Sequence, residues 1–138
     1  MRICIIGCGG IGSIFAACLA RVDTLEVFAY DVWNEHVKAI KEHGLRVTGE
    51  ANFTVEMEAT TDPREIPRCD YGIVAARGMD TRGAMAGASH LFDEKSAVCS
   101  IQNGVGNEEI VAEYVPHVIR GTTFAAGHVA EPDRKSVV

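Results

Sequence analysis

Residues 2–15 read RICIIGCGGIGSIF, and this stretch decides the fold of the chain. Its opening run, Ile3–Ile6, is short and apolar and ends at a glycine, which is typical of a parallel strand covered on both faces. Three glycines follow in the spacing G-x-G-x-x-G, and apolar residues then recur every three or four positions, as on one face of a helix. A strand, a glycine-rich turn and a helix in this order predict a dinucleotide-binding unit.

Each glycine of the turn has a separate predicted role. Gly7 allows the tight turn, Gly9 leaves room for a pyrophosphate to approach the backbone, and Gly12 lets the helix pack against the strand. The N-terminus of the helix offers free N–H groups and a partial positive charge to the phosphates. The alternative is a glycine-rich turn that binds no ligand. The predicted cofactor-binding residues of this loop are Gly7, Cys8, Gly9, Gly10, Ile11 and Gly12.

An acidic residue ends the second predicted strand. Asp31 lies 24 positions after Gly7 (31 − 7), where an acid accepts hydrogen bonds from the ribose hydroxyls of the adenosine. A 2′-phosphate would meet its negative charge, and the next basic side chain is Lys38. Asp31 therefore favours NADH over NADPH. A second role, as the N-cap of the following helix, is compatible with the first.

Strands and helices alternate along the rest of the chain, with one interruption. The order β-α-β-α, a β-hairpin, then β-α-β-α-β predicts an α/β fold with a doubly wound parallel sheet (a Rossmann fold) and a small β-hairpin insertion. Asp80 is expected to cap the third helix. The predicted strands are 3–6, 25–30, 45–48, 53–57, 71–76, 97–101, 118–119, 124–129 and an incomplete strand from Lys135. The predicted helices are 11–22, 33–43, 80–91 and 108–114, with a short helical turn at 61–63.

Composition narrows the class of protein. The chain has 138 residues, 47% of them hydrophobic, and a formal net charge of −6, which fits one globular domain and disfavours a nucleic-acid partner. No apolar run approaches the ~18 residues of a membrane span, and the N-terminus does not resemble a signal peptide. We therefore expect a cytoplasmic protein with no membrane partner.

The cysteines and histidines suggest no metal site. The five cysteines are odd in number and form no C-x-x-C pair, so we expect reduced, buried cysteines, with Cys4, Cys18 and Cys99 in apolar segments. The five histidines are scattered, and we expect them at the surface. They are His36, His43, His90, His117 and His128.

A second polar site follows the strand at 97–101. The sequence IQNGVGNEE, residues 101–109, places Asn103 where a strand ends and a helix begins, which is where ligands bind in such sheets. The amide of Asn103 both donates and accepts hydrogen bonds, which suits the orientation of a ribose or of a substrate carbonyl. The alternative is a simple Asn-Gly turn.

Three motifs together resemble the ketopantoate reductase family. They are GCGGIGS at 7–13, QNGVGNEE at 102–109 and GTTFAA at 121–126. The resemblance implies a hydride transfer to the keto carbon of a 2-oxo acid, which converts 2-dehydropantoate to pantoate on the way to pantothenate and coenzyme A. It places Asn103 beside the nicotinamide and the substrate, and Ala126 near the nicotinamide.

This chain departs from the pattern of the family in three respects. The family has a cofactor-contacting lysine where this chain has Arg77, and it commonly uses NADPH, which Asp31 disfavours. Family members also carry a C-terminal helical domain, absent from this chain, that supplies the lysine general acid and most of the substrate pocket. We therefore expect residues 1–138 to be a dinucleotide-binding domain of a longer two-domain enzyme. Alone it is expected to bind NADPH or NADH without turnover.

Two other classes of function remain open. The first is an NAD(H)-sensing regulatory domain of a potassium transport system, which would form a dimer and catalyse nothing. The second is an inert scaffold that binds a partner protein. The motif at 102–109 speaks against the first, and the three-glycine turn against the second. Expected partners are a small 2-oxo acid and a second copy of the chain.

Overall fold

The structure is a computed structural model that describes residues 1–124, 127–131 and 134–137. Four helices and ten strands lie within these residues. The helices are α1 (Gly10–Leu19), α2 (Asn34–His43), α3 (Thr81–Ala88) and α4 (Asn107–Ala112). The strands are β1 (Arg2–Ile6), β2 (Glu26–Tyr30), β3 (Leu45–Gly49), β4 (Phe53–Val55), β5 (Glu58–Thr60), β6 (Tyr71–Val74), β7 (Ala97–Ser100), β8 (Val118–Arg120), β9 (Gly127–Glu131) and β10 (Arg134–Val137).

Six of the strands form a sheet in the order β5-β2-β1-β6-β7-β8. Every pairing in this sheet is parallel, which confirms the predicted doubly wound α/β fold. β1 lies between β2 and β6, so the chain winds away from β1 in both directions. The loops that follow β1 and β6 therefore diverge and leave a crevice at the carboxyl edge of the sheet, the usual ligand site in this architecture.

The side chains of β1 serve both faces of the sheet, which explains its uninterrupted apolar sequence. Ile3 and Ile5 pack in a buried cluster with residues of α1 and α2. Cys4 and Ile6 pack in a second cluster with residues of α3 and α4. Two helical layers thus cover the sheet and hold the end of β1 in place beneath the glycine-rich turn.

The predicted hairpin is present, but it belongs to a larger second sheet. β3 and β4 pair antiparallel, and the sheet continues in the order β4-β3-β10-β9. The strand predicted at 53–57 ends at Val55, and the unpredicted β5 then joins the large sheet parallel to β2. A strand of three residues is too short to show an alternating pattern, and its partner is distant in sequence.

The predicted exposure of His36 and the predicted burial of Cys18 are both wrong. His36 is completely buried, because its ring meets polar groups of the glycine-rich loop, as described below. Cys18 is exposed at the end of α1, although it shares the apolar spacing of that helix. His43, His90 and His117 are exposed as expected, and the side chain of His128 lies outside the described residues.

The thiols provide a direct check of this packing. Burial raises the pKa of Cys69 to about 11 and that of Cys4 well above its usual value, so both stay protonated until the pH approaches those values. We expect Cys18 to react first with an aromatic disulfide reagent at mildly alkaline pH, since the thiolate is the nucleophile. Cys18→Ser should remove the fast phase of absorbance, and a fast phase that persists would contradict the structure.

Among the described residues, none of the helices is both long enough and apolar enough to cross a membrane.

Candidate dinucleotide-binding site

A cavity of about 630 Å³ lies in the crevice at the carboxyl edge of the large sheet. The loop after β1, the end of β2 and the loop after β6 form its walls. Gly7, Gly9, Asp31 and Arg77, all predicted from the sequence as cofactor-binding residues, line this cavity together. The apolar part of the wall includes the only tryptophan of the chain, Trp33.

The three glycines differ in whether their surroundings leave room for a side chain. Gly7 has a φ of +90°, and a Cβ there would lie 2.5 Å from the backbone nitrogen of Ala76. A Cβ on Gly12 would lie 1.9 Å from the carbonyl oxygen of Gly7, so both positions exclude a side chain. A Cβ on Gly9 would meet nothing within 4 Å. The fold therefore requires Gly7 and Gly12, whereas Gly9 only leaves open space at the cavity.

Helix α1 begins at this loop, and its N-cap residue, Gly9, lines the cavity. The helix starts at Gly10, and its N-cap residue, Gly9, has no side chain to cap the first N–H groups. These N–H groups have no acceptor within the helix, and the helix dipole makes this end attractive to an anion. Gly10 and Ile11 are half-buried, and Cys8 lies buried below the loop.

Asp31 holds the loop as well as facing the cavity. Its Oδ2 accepts a hydrogen bond from the backbone N–H of Cys8 at 2.5 Å, and its Oδ1 accepts one from the backbone N–H of Trp33 at 2.8 Å. The predicted capping role is wrong, because Trp33 occupies the N-cap position of α2 and no side chain caps this helix. An ionised carboxylate has about four lone-pair sites, so sites remain for ribose hydroxyls.

The charges that line the cavity leave one negative charge in excess. They are the carboxylates of Asp31 and Asp80 and the guanidinium of Arg77. The Nε of Arg77 donates to Oδ2 of Asp80 at 2.9 Å, and its side chain is 81% exposed. Burial, and then the charge of Asp31, raise the pKa of the nearby Tyr30 phenol, which keeps it neutral.

Asp80 does not act as predicted at the start of α3. It occupies the N-cap position, but its side chain makes no capping hydrogen bond. The carboxylate pairs with Arg77 instead, which is three residues away across a 3-10 turn. The helix also ends at Ala88, and a separate 3-10 turn continues to Leu91.

A partly buried polar network joins the loops that follow β6 and β7. Nε2 of Gln102 donates to the carbonyl of Ala76 and to Oγ1 of Thr81, both at 2.7 Å. Thr81 donates to the carbonyl of Gly78 at 2.9 Å. The network therefore fixes the backbone on both sides of Arg77 to the strand that leads to Asn103.

We expect Thr81→Val to destabilise the chain by about 1–3 kcal/mol, because it leaves the partly buried partners of the hydroxyl without that hydrogen bond. Thr81 is completely buried, and valine has nearly the same shape. Thr24→Val, at an exposed position, is the matched control and should stay within about 0.5 kcal/mol. Urea denaturation measures both, and equal midpoints for the two variants would contradict the role of the network.

Asn103 lies beside the cavity rather than in its wall. It is exposed in the loop after β7, and its carbonyl accepts a hydrogen bond from Nδ2 of Asn107 at 3.1 Å. Since β7 is two strands from β1 in the sheet, this position extends the site along the carboxyl edge. Ala126, predicted near the nicotinamide, lies outside the described residues.

Sequence reasoning missed residues that support the site from below. Ser13 directly follows the glycine motif, and Gln102 directly precedes Asn103, so both lay within the motifs that were recognised. Thr81 and Asn107 stand at the starts of α3 and α4, where polar side chains are common and give no distinguishing signal. His36 shares the helical spacing of Trp33, Val37 and Ile40, which was a signal for burial, but its partners on the glycine-rich loop lie in a different element. Within the described part of the chain, no group of three His, Cys, Asp or Glu side chains is arranged to hold a metal ion.

Comparison with known proteins identifies relatives over almost the whole chain. A family model described as "Ketopantoate reductase PanE/ApbA" matches residues 3–136. The 2-dehydropantoate 2-reductase of Pyrococcus abyssi is 38% identical over 135 residues, which cover 96% of this chain and 43% of that protein. The enzyme of the same name from Lactococcus lactis is also 38% identical, over 92% of this chain and 42% of that protein. The chain thus spans less than half the length of these relatives.

Solved structures show the same fold. A PanE/ApbA family ketopantoate reductase from Ralstonia eutropha has a TM-score of 0.91 and 26% identity, covering 99% of this chain and 46% of that one. A D-mandelate dehydrogenase, solved with NADH and anilino(oxo)acetate, has a TM-score of 0.91 and 26% identity, covering 100% of this chain and 45% of that one.

Proposed function

Because the chain belongs to the ketopantoate reductase family, we propose that it is the nicotinamide-dinucleotide-binding domain of an oxidoreductase that reduces a 2-oxo acid. The substrate proposed first is 2-dehydropantoate, which two relatives at 38% identity carry in their names. The alternative of an NAD(H)-sensing domain of a potassium transport system has no support in these comparisons.

The observation that carries the proposal is the cavity between the loops after β1 and β6. It combines the uncapped start of α1, open space above Gly9 and a carboxylate at the end of β2. These are the features that a dinucleotide needs for its pyrophosphate and its adenosine ribose. The residues present therefore fit a nicotinamide dinucleotide.

The chain's own residues bind and orient the cofactor and the substrate. The loop at 7–12 would hold the pyrophosphate with backbone N–H groups, and Asp31 would accept hydrogen bonds from the ribose hydroxyls. Arg77 would add a positive charge at the mouth of the cavity, and Asn103 would orient the nicotinamide end and the keto group. When bound, the reduced nicotinamide supplies a hydride to the keto carbon.

We propose NADH as the preferred cofactor. The cavity carries one excess negative charge, from Asp31 and Asp80 against Arg77, and Arg77 is already paired with Asp80. A 2′-phosphate near Asp31 would be repelled. The D-mandelate dehydrogenase, which shares the fold, was solved with NADH.

We also propose that a further part of the enzyme completes the site. The chain covers 42–43% of the length of its two named relatives, and the family resemblance assigns the lysine general acid to a second, helical domain. On this proposal residues 1–138 bind cofactor but do not turn over. The odd number of cysteines and the lack of a C-x-x-C pair are in keeping with a reducing cytoplasm. We also propose a homodimer, which sedimentation velocity tests.

Trp33 provides the test of the proposed function, since it is the only tryptophan and lines the cavity. We expect NADH to quench the fluorescence of Trp33 until the site is saturated. Energy transfer from Trp33 should at the same time increase the fluorescence of the bound NADH. Free tryptophan at equal absorbance controls for inner-filter effects. With 2-dehydropantoate added, the chain alone should leave the NADH absorbance constant. A lack of quenching would contradict the binding proposal, and NADH oxidation would contradict the proposed domain organisation.

A further inference from the structure

His36 is a buried polar side chain that the proposed function does not use. It is 0% exposed on α2, and its Nε2 lies 3.1 Å from the carbonyl oxygen of Cys8. A carbonyl oxygen only accepts hydrogen bonds, so Nε2 carries the hydrogen in this contact. Oγ of Ser13 donates to the same carbonyl at 2.5 Å. Two buried side chains thus converge on one carbonyl of the glycine-rich loop.

The peptide between Cys8 and Gly9 is therefore held on its inner side. A peptide group is planar and trans, so its C=O and its N–H point in opposite directions, and the described backbone contains no cis peptide. Because the Cys8 carbonyl points into the protein toward His36 and Ser13, the N–H of Gly9 points the other way. Gly9 is exposed and lines the cavity, so this N–H faces the space proposed for the pyrophosphate.

The N–H of the preceding residue is fixed as well. The backbone N–H of Cys8 donates to Asp31, so both polar groups of the Cys8 backbone are bound by side chains from other parts of the chain. A donor that is already oriented loses less conformational entropy when an anion binds. The orientation of this loop is thus specified before any ligand arrives.

We propose that His36 is a positioning residue for pyrophosphate binding, which acts through the Cys8 carbonyl to direct the Gly9 N–H into the cavity. This inference rests on the proposed dinucleotide binding. On this proposal His36 does more than pack in the core, so its substitution should change the affinity for some ligands and not for others. Loss of the hydrogen bond should weaken ligands that carry phosphates and should spare a ligand that lacks them.

The test compares ADP with adenosine as probes, by titration of backbone amide signals in NMR spectra. His36→Met fills the buried volume without an N–H donor, whereas His36→Gln returns an N–H near the position of Nε2. We expect His36→Met to weaken ADP binding about tenfold. This is the contribution of one hydrogen bond to a charged group, here the bond from the Gly9 N–H to a phosphate. Adenosine binding should change by less than about twofold, and His36→Gln should recover most of the ADP affinity.

His43→Met is the matched control, because His43 ends the same helix and is exposed; both affinities should be unchanged. Equal weakening of ADP and adenosine in His36→Met, or no recovery in His36→Gln, would overturn the inference in favour of a packing role. Unchanged ADP binding in His36→Met would overturn it as well.

A second variant keeps the inference testable if His36→Met does not fold. Ser13→Ala removes the other hydrogen bond to the Cys8 carbonyl with a small change in volume. We expect it to weaken ADP about threefold and to leave adenosine unchanged, and an equal effect on both ligands would contradict the inference. If the unaltered chain binds neither ADP nor NADH, the proposed function itself is overturned and this inference with it.

Discussion

Asp31→Asn is expected to raise the affinity for NADPH relative to NADH by at least about tenfold, since it removes a full charge from the 2′ side of the ribose. The ratio of the NADPH and NADH affinities tests this role better than either affinity alone, because Asp31 also accepts hydrogen bonds from the backbone N–H groups of Cys8 and Trp33. Asparagine has one acceptor oxygen where aspartate has two, so the loop should loosen and both absolute affinities should fall. Calorimetric titration with each cofactor measures the ratio.

Asp23→Asn is the control for this prediction. It makes the same change in net charge at an exposed position away from the cavity, so the ratio of the two affinities should not move. An unchanged ratio in Asp31→Asn would contradict the assignment of Asp31 as the residue that selects between the cofactors. A ratio that shifts equally in both variants would show that the effect comes from the overall charge of the chain.

Gly9→Ala and Gly12→Ala are expected to separate cofactor binding from folding. A Cβ on Gly12 would overlap the Gly7 carbonyl oxygen at 1.9 Å, so Gly12→Ala should destabilise the chain by about 3 kcal/mol or more. That loss corresponds to a fall in melting temperature of roughly 10 °C. Gly9 has open space and a φ of −63°, so alanine there should leave the melting temperature nearly unchanged.

The effect of Gly9→Ala should instead appear in binding. The added methyl occupies the surface that the pyrophosphate is proposed to approach, and we expect a loss of NADH affinity of at least about tenfold. Gly83→Ala is the stability control: it lies within α3, a Cβ there meets nothing within 4 Å, and the substitution should stabilise the helix by about 0.5–1 kcal/mol. A Gly9→Ala chain that binds NADH normally would contradict the placement of the phosphates.

The sequence predicts those parts of the fold in which a local pattern of residues is compatible with only one kind of secondary structure. The apolar run at 3–6, the glycines at 7, 9 and 12 and the helix that follows define the centre of the large sheet, and the structure has them in place. The hairpin of β3 and β4 is also predicted, because alternation and a turn lie within a few residues of each other. Its continuation into a second sheet depends on β10, which pairs with β3 from the other end of the chain.

The residues that the sequence does not predict depend on contacts between distant elements. His36 lies on the same face of α2 as Val37 and Ile40, but its hydrogen bond to the Cys8 carbonyl joins two elements and is not visible in the pattern of the helix. Cys18 follows the apolar spacing of α1 yet faces solvent. Gln102 was visible within its motif, but its bonds to Ala76 and Thr81 become apparent only when β6 and β7 lie side by side.

The central claim is that the cavity between β1 and β6 binds a nicotinamide dinucleotide and prefers the form without a 2′-phosphate. Calorimetric titration of the unaltered chain with NADH and with NADPH, under the same conditions, tests it most directly. We expect saturable binding of NADH, with NADPH binding weaker by about tenfold or more. Tighter binding of NADPH, or no heat of binding with either cofactor, would contradict it.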